Sequence, residues 1–199
     1  ALGFVRTCRE RGIKPVLGIE FRDERCRFLY VGIARNNAGW AALCSFLTEH
    51  SLAGKSLPAV PPPIDGVFIV YDREVKPLEM FRPNEFIGIR PAQAGGLFSS
   101  NWRHHPDKLV VWQPITFLDA EGYRVHKLLR AIDANTLVTK LDAVVIARAD
   151  ENFPTETEVL EPFKGYPKIV ENTRRLIEAC TIRFETGLQI NRRTFMGSK

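Results

Sequence analysis

Long apolar runs are missing from this 199-residue sequence: none approaches the roughly 20 residues of a membrane-spanning helix, and no signal-peptide pattern opens it. Cysteine is scarce. Cys8, Cys26, Cys44 and Cys180 show no CxxC spacing, and each sits in an apolar-periodic segment, which predicts buried, reduced thiols. Together these features predict a cytoplasmic protein that makes no membrane contact. Histidine is scarce too, at four residues. Its only cluster is His104-His105, and adjacent residues on an extended chain point to opposite sides, whereas HxH or HxxxH spacing converges on a metal. That pair reads as surface loop, and His50 is isolated. No Ser/His/Asp or Cys/His constellation stands out, and no glycine loop resembles a nucleotide cradle. No basic run with interleaved aromatics marks a dedicated single-strand groove.

What is present is ordinary for a globular chain: 45% hydrophobic and 26% charged residues, with one domain as the default count. Net charge is +5 with pI about 9.2. The charge is unevenly placed. Residues 1–35 carry eight Lys and Arg against four Asp and Glu, and residues 164–199 carry eight against three. The middle, 36–163, carries twelve against sixteen. Basic ends fit either a solvated surface or nearby nucleic acid, whose phosphates supply sequence-independent affinity. The first residue is Ala1 and the first element starts mid-helix, which predicts a fragment of a longer polypeptide.

The organising stretch is Gly12-Ile13-Lys14-Pro15-Val16-Leu17-Gly18-Ile19-Glu20. Gly12 can end the preceding helix in the left-handed cap conformation. Lys14-Pro15 then favours extended backbone. Val16, Leu17 and Ile19 form a short apolar run, as a strand buried on both faces would. Glu20 closes that run, at the edge of an α/β sheet where ligands collect.

Further strands are predicted over Cys26–Ala34, Val67–Tyr71 and Glu85–Arg90, and over Lys108–Phe117 with a break at Pro114. Asn36 or Asn37 can cap a helix whose stripe is Trp40, Leu43, Cys44 and Leu47. The Pro-rich 51–65 reads as an ordered surface loop, and Pro91 starts a short helix. Asp119–Asn135 is a predicted helix with Val125, Leu128, Leu129 and Ile132 on its inner face, and His126 near the stripe edge reads as a hydrogen-bonded structural residue. Residues 140–152 are irregular. Pro154–Phe163 is a short helix with a Thr155/Glu158 capping box. Tyr166–Cys180 is a helix with Pro167 in its first turn and a stripe of Ile169, Val170, Thr173, Leu176, Ile177 and Cys180. Alternating strands and helices predict an α/β fold with mostly parallel pairing.

Four segments, in order, resemble one family. The 12–20 stretch is similar to a signature of the PHP (polymerase and histidinol phosphatase) domain of bacterial replicative DNA polymerase III alpha subunits. Ala34-Arg35-Asn36-Asn37-x-Gly39-Trp40-x-x-Leu43 resembles a second motif of that domain, and His126-x-x-Leu129-x-Ala131-Ile132 resembles its helix after the last metal motif. Phe163…Pro167 through Asn172-Thr173 to Cys180 resembles its closing segment. Asn191–Lys199, with Thr194-Phe195-x-Gly197-Ser198-Lys199, is similar to the connection into the polymerase core, particularly in the Bacteroidetes type.

The resemblance implies a distorted seven-stranded β/α barrel with outer helices, lacking its first strands and helix here. The PHP domain would span 1–190, and 191–199 would lead toward the polymerase core. A working PHP site holds about three divalent metals through His, Asp and Glu, which polarise a phosphate and generate a nucleophile from bound water. By resemblance Glu20 is one such ligand, while the family's opening His-x-His and Thr-Asp-His lie upstream of Ala1. Pro114 and Thr116 occupy the positions of its later Asp-x-His, and neither replaces the lost pair. Glu20 is therefore expected to be the vestige of a decayed metal site. Zn or Mn would bind only if that site were retained, and Mg belongs to the parent polymerase core. The implied function is a non-catalytic scaffold in DNA replication. Its implied partners are the polymerase thumb, the proofreading exonuclease subunit, and DNA through the parent enzyme. The alternative is a stand-alone metal-dependent PHP phosphoesterase, and a weaker one is a basic nucleic-acid-binding domain.

Overall fold

The computed structural model describes residues 1–184. The expected boundary at 190 and the 191–199 connection lie outside the described residues. Helix α1 (Leu2–Glu10) leads into strands β1 (Gly18–Arg22) and β2 (Phe28–Ala34), then helix α2 (Asn37–Leu52). Strands β3 (Val67–Tyr71), β4 (Glu85–Ile89) and β5 (Leu109–Val111) follow, and helices α3 (Ala120–Asp133), α4 (Glu156–Leu160) and α5 (Pro167–Glu178) complete the order. No helix among the described residues is long and apolar enough to cross a membrane.

The class is α/β, as expected, but the sheet corrects the rest of that expectation. Its five strands lie in sequence order, with β1–β2 and β2–β3 antiparallel and β3–β4 and β4–β5 parallel. The described residues thus form an open, mixed sheet, in place of the mostly parallel seven-stranded barrel expected to lack only its first strands and helix. The reason for the first pairing is length: residues 23–27 are too few for a parallel crossover, which needs a dozen or more. Asp23 ties that turn by accepting from the Arg25 and Arg27 N–H groups, each at 2.9 Å. Cys26 takes the left-handed conformation there (φ 59°) and is exposed, against the expectation of a buried thiol. Two successive antiparallel pairings leave β1 running in the same direction as β3, β4 and β5. The carboxyl ends of four strands therefore share one edge.

Every residue of β3 is buried, and the period of two assigns its side chains to two cores. Ile69 and Tyr71 join Phe21 and Tyr30 with Leu43 and Phe46 of α2, while Phe68 and Val70 meet Val110 with Leu176 of α5 and Cys180 just after it. Gly12 ends α1 with φ 68°, as its position in the sequence predicts. Asn36 caps α2 by accepting from the Gly39 N–H at 2.9 Å. The buried stripe of α2 is Gly39, Leu43 and Phe46, and Leu47 is exposed. At Gly39 an added Cβ would lie 2.0 Å from the Gly66 carbonyl oxygen, so only glycine lets α2 start this close to the turn before β3. The capping box of Thr155 and Glu158 is formed.

Two expectations fail in the region after β5. That strand is only three residues long and ends before Trp112, ahead of the Pro114 break. The expected inner face of α3 is exposed: Val125, Leu128, Leu129 and Ile132 all face solvent, and only Ala131 of that helix is buried. No residue between 113 and 153 belongs to either core. The 3.6-residue period gave the helix correctly but could not say that the sheet would not cover it.

Asn172 and Thr173, within the closing motif, have a specific job. Asn172 is buried and donates to the carbonyls of Pro106 (2.8 Å) and Leu109 (2.9 Å). Thr173 Oγ1 accepts from the Val111 N–H at 2.8 Å. Together they fasten the short, otherwise weakly held β5 to α5.

A second polar knot lies at the amino end of β4. Glu85 is fully buried, on the same side as Ile87 and Ile89. Its carboxylate accepts from Tyr71 Oη (2.9 Å), Lys76 Nζ (2.6 Å), and both the backbone N–H (2.6 Å) and Nη2 (2.7 Å) of Arg82. Burial alone would raise its pKa, but the bonds from Arg82 and Lys76 outweigh burial and hold it down at about 2.

Folded Glu85 titrates well below its ordinary 4.5, so its contribution to stability is complete above that value and is lost as pH falls toward 2. Chemical-denaturation midpoints measured from pH 7 to pH 3 are expected to fall in the native protein and to fall less in Glu85→Gln. At pH 7 that variant is expected to lose roughly 3 kcal/mol, because Lys76 and Arg82 are left without their anion. Asn172→Leu strands two carbonyls and is expected to cost about 2–4 kcal/mol in the same measurement.

Candidate functional site

At the carboxyl edge of β1, β3, β4 and β5 lies a cleft of about 1070 Å³. This is the edge where open α/β sheets bind ligands. Each strand delivers charged or aromatic residues there: Glu20 and Arg22 from β1, Asp72 and Arg73 just after β3, Arg90 just after β4, and Trp112 just after β5. The far wall comes from residues 114–116, from His126 and Arg130 of α3, and from residues 144–148 and 151.

Stacked side chains run through the cleft. The Phe28 and Trp112 rings lie 5.0 Å apart, and the Arg90 guanidinium lies 5.1 Å from the centre of the Trp112 ring. Phe28 opens β2, three strands away from β5, so their contact requires the sheet to curl at this edge. Gly88 permits it: a Cβ there would come within 2.7 Å of the Trp112 Cβ.

Arginine dominates the electrostatics. Arg22 is bonded to Glu20 and donates to the Cys26 carbonyl at 2.7 Å. Arg27 donates to Asp23 at 2.7 Å, and that bond holds the Asp23 carboxyl below its ordinary pKa. Arg73 donates to Asp72 at 2.9 Å, although burial still pushes Asp72 upward. Arg90 Nη2 donates to Glu151 at 3.0 Å and its Nη1 to Asp150 at 3.5 Å. Glu151 also accepts from Thr116 Oγ1 at 2.8 Å.

The sequence-derived candidates fall into two groups. Glu20, Pro114, Thr116 and His126 line this one cleft, although Glu20 and Thr116 come from segments almost a hundred residues apart. Glu20 stands within β1, two residues before its end, and its side chain is 43% exposed. His126 Nε2 accepts from the Ala147 N–H at 2.9 Å, the hydrogen bond expected of it, and burial lowers its pKa. His104 accepts from Arg103 Nε at 3.0 Å, His105 lies 3.1 Å from Glu79, and His50 bonds the Phe46 carbonyl at 2.8 Å. None of these three lines the cleft. Arg90 and Trp112 are the residues that sequence reasoning missed. Their signal was positional: each directly follows a strand that ends at the ligand edge.

These donors do not fit a divalent cation. Among the described residues no three His, Cys, Asp or Glu side chains converge, and the Glu20 carboxylate already carries a guanidinium. One carboxylate holds such an ion only weakly. What the arrangement does chemically is pair charge with charge across the strand ends.

No protein-family model matches the chain. It is similar to the DNA polymerase III subunit alpha of Halalkalibacterium halodurans, with 27% identity over an alignment 221 residues long that takes in 94% of this chain. The chain spans 19% of the length of that relative.

Gly88→Ala tests the curled edge. The added methyl group must displace Trp112 from Phe28 and Arg90, with an expected loss of about 1–3 kcal/mol in denaturation and a changed near-ultraviolet circular dichroism signal from the stacked ring.

Proposed function

We propose that this chain is the PHP domain of a replicative DNA polymerase III alpha subunit, and that it serves DNA replication as a non-catalytic scaffold. The relation to such a subunit supports the assignment, together with motifs that follow one another in the family's order along the chain. The observation that carries the scaffold reading is the pairing of Glu20. Its carboxylate faces an arginine-rich cleft bonded to Arg22, with Pro114 and Thr116 lining the same cleft where the family would place an Asp and a His. A curled, open five-stranded sheet is a part that a distorted β/α barrel would contribute. On this reading the parent polypeptide works in the cytoplasm, its polymerase core uses Mg, and the scaffold meets the thumb and the proofreading exonuclease subunit.

The test uses the intact polypeptide that carries this chain. It is expected to extend a primed DNA template, and Glu20→Gln is expected to change that rate less than twofold. Metal analysis of the purified protein is expected to find no stoichiometric Zn or Mn. Tightly held Zn or Mn, with phosphoesterase activity abolished by Glu20→Gln, would favour the stand-alone phosphoesterase and overturn the scaffold reading.

A further inference from the structure

Residues 113–153 leave the sheet after β5, form α3 and two 3-10 turns, and return to the cleft at Arg148 and Glu151. The excursion is closed at its own base. Thr116 N–H donates to the Glu151 carbonyl at 2.8 Å, Phe153 N–H to Leu118 at 3.3 Å, and Gln113 Nε2 to the Asp150 carbonyl at 2.8 Å. Inside, Phe117 is buried against Tyr123 (5.3 Å between rings) and His126 (6.1 Å). Nothing in this unit joins the two hydrophobic cores.

Its polar attachment to the rest of the fold is correspondingly narrow. Among the described residues, the side-chain hydrogen bonds that cross from elsewhere into 113–153 both come from Arg90. The Arg90 side chain is only 13% exposed, and that of its carboxylate partner Glu151 is 12% exposed. Trp112 covers one face of it, so the ion pair is partly shielded from water and its fork geometry is fixed. Thr116 holds the second oxygen of Glu151 at 2.8 Å, which orients the carboxylate toward Arg90.

We infer that Arg90 does at this cleft the cross-linking that a bound cation does where carboxylates converge. It is the positioning residue that holds the 113–153 unit on the carboxyl ends of β4 and β5, and it does so without metal. The tether rests on the contacts alone. Its description as a substitute for metal rests on the scaffold reading above.

Amide hydrogen exchange on the intact polypeptide tests both parts. In the native protein the N–H groups of Thr116, Phe117 and Ala147 are expected to be protected equally with and without EDTA. Arg90→Met keeps the stem over Trp112 but removes the fork, and is expected to cut that protection about tenfold while leaving β2, β3 and β4 unchanged. Glu151→Gln is expected to act in the same way and keeps the test decisive should Arg90→Met fail to fold. The pair Arg90→Glu with Glu151→Arg is expected to restore protection in part, which general loosening would not allow. Unchanged protection in Arg90→Met and Glu151→Gln would overturn the tether. Protection lost to EDTA in the native protein would leave the tether standing and overturn the metal substitution, and stoichiometric bound metal would overturn the scaffold reading with it.

Discussion

The buried carboxylate of Glu85 is the constraint on which the sheet depends. A charge with no exposure to water is tolerated only when nearly every lone pair is met. Four donors from three residues meet it, and those residues are drawn from the end of β3 and from the loop before β4. Arg82 reaches further, donating to the Pro61 carbonyl at 2.8 Å and accepting at its own carbonyl from Lys108 at 3.1 Å. One anion thus gathers the Pro-rich loop, the β3–β4 crossover and the turn that leads into β5. An apolar residue at position 85 could be as stabilising in total, but it would not specify which loop lies where.

Strand β4 carries a second arginine–carboxylate contact at its other end, five residues away. The two differ in burial and therefore in kind. Glu85 is sealed within the core, whereas Arg90 and Glu151 retain slight exposure beside an open cleft. The first fixes the strand's place in the sheet. The second fixes what the strand's carboxyl edge is joined to. A five-residue strand with two glycine-sized or polar positions, Gly88 and Glu85, would be a poor strand by propensity alone, and these flanking contacts compensate for that weakness.

Much of this architecture was legible because local chemistry decided it. Gly12, Asn36, Thr155 with Glu158, and Pro167 each mark an element end by satisfying or removing an orphan backbone group, and each does so in the fold. The all-apolar run of β3 announced burial on both faces. Strand direction was less legible, because the 23–27 turn offered a short-hairpin signal that a reading centred on α/β alternation passed over. In the cleft, Glu20, Pro114 and Thr116 came from motif resemblance. Arg90 could not, since its partner Glu151 is 61 positions away and a single arginine after a strand looks like any surface cation.

The exposed stripe of α3 shows where periodicity stops being informative. Burying a Val, Leu or Ile side chain stabilises by roughly 1.5–3 kcal/mol, so four such residues on the sheet would hold α3 more firmly than any salt bridge. That packing is absent: all four face solvent, and the unit's own centre is little more than Phe117 with Tyr123 and His126. What remains is a partly shielded ion pair, which contributes about 1.5–3 kcal/mol at best. The sheet opens only when both cores are lost, whereas 113–153 is released from it by the loss of Arg90's contacts. The free energy of opening must therefore be lower on the α3 side of the cleft than on the sheet side. The width of the cleft is accordingly governed at the end of β4, by one guanidinium, and not by the hydrophobic cores that hold the rest of the chain.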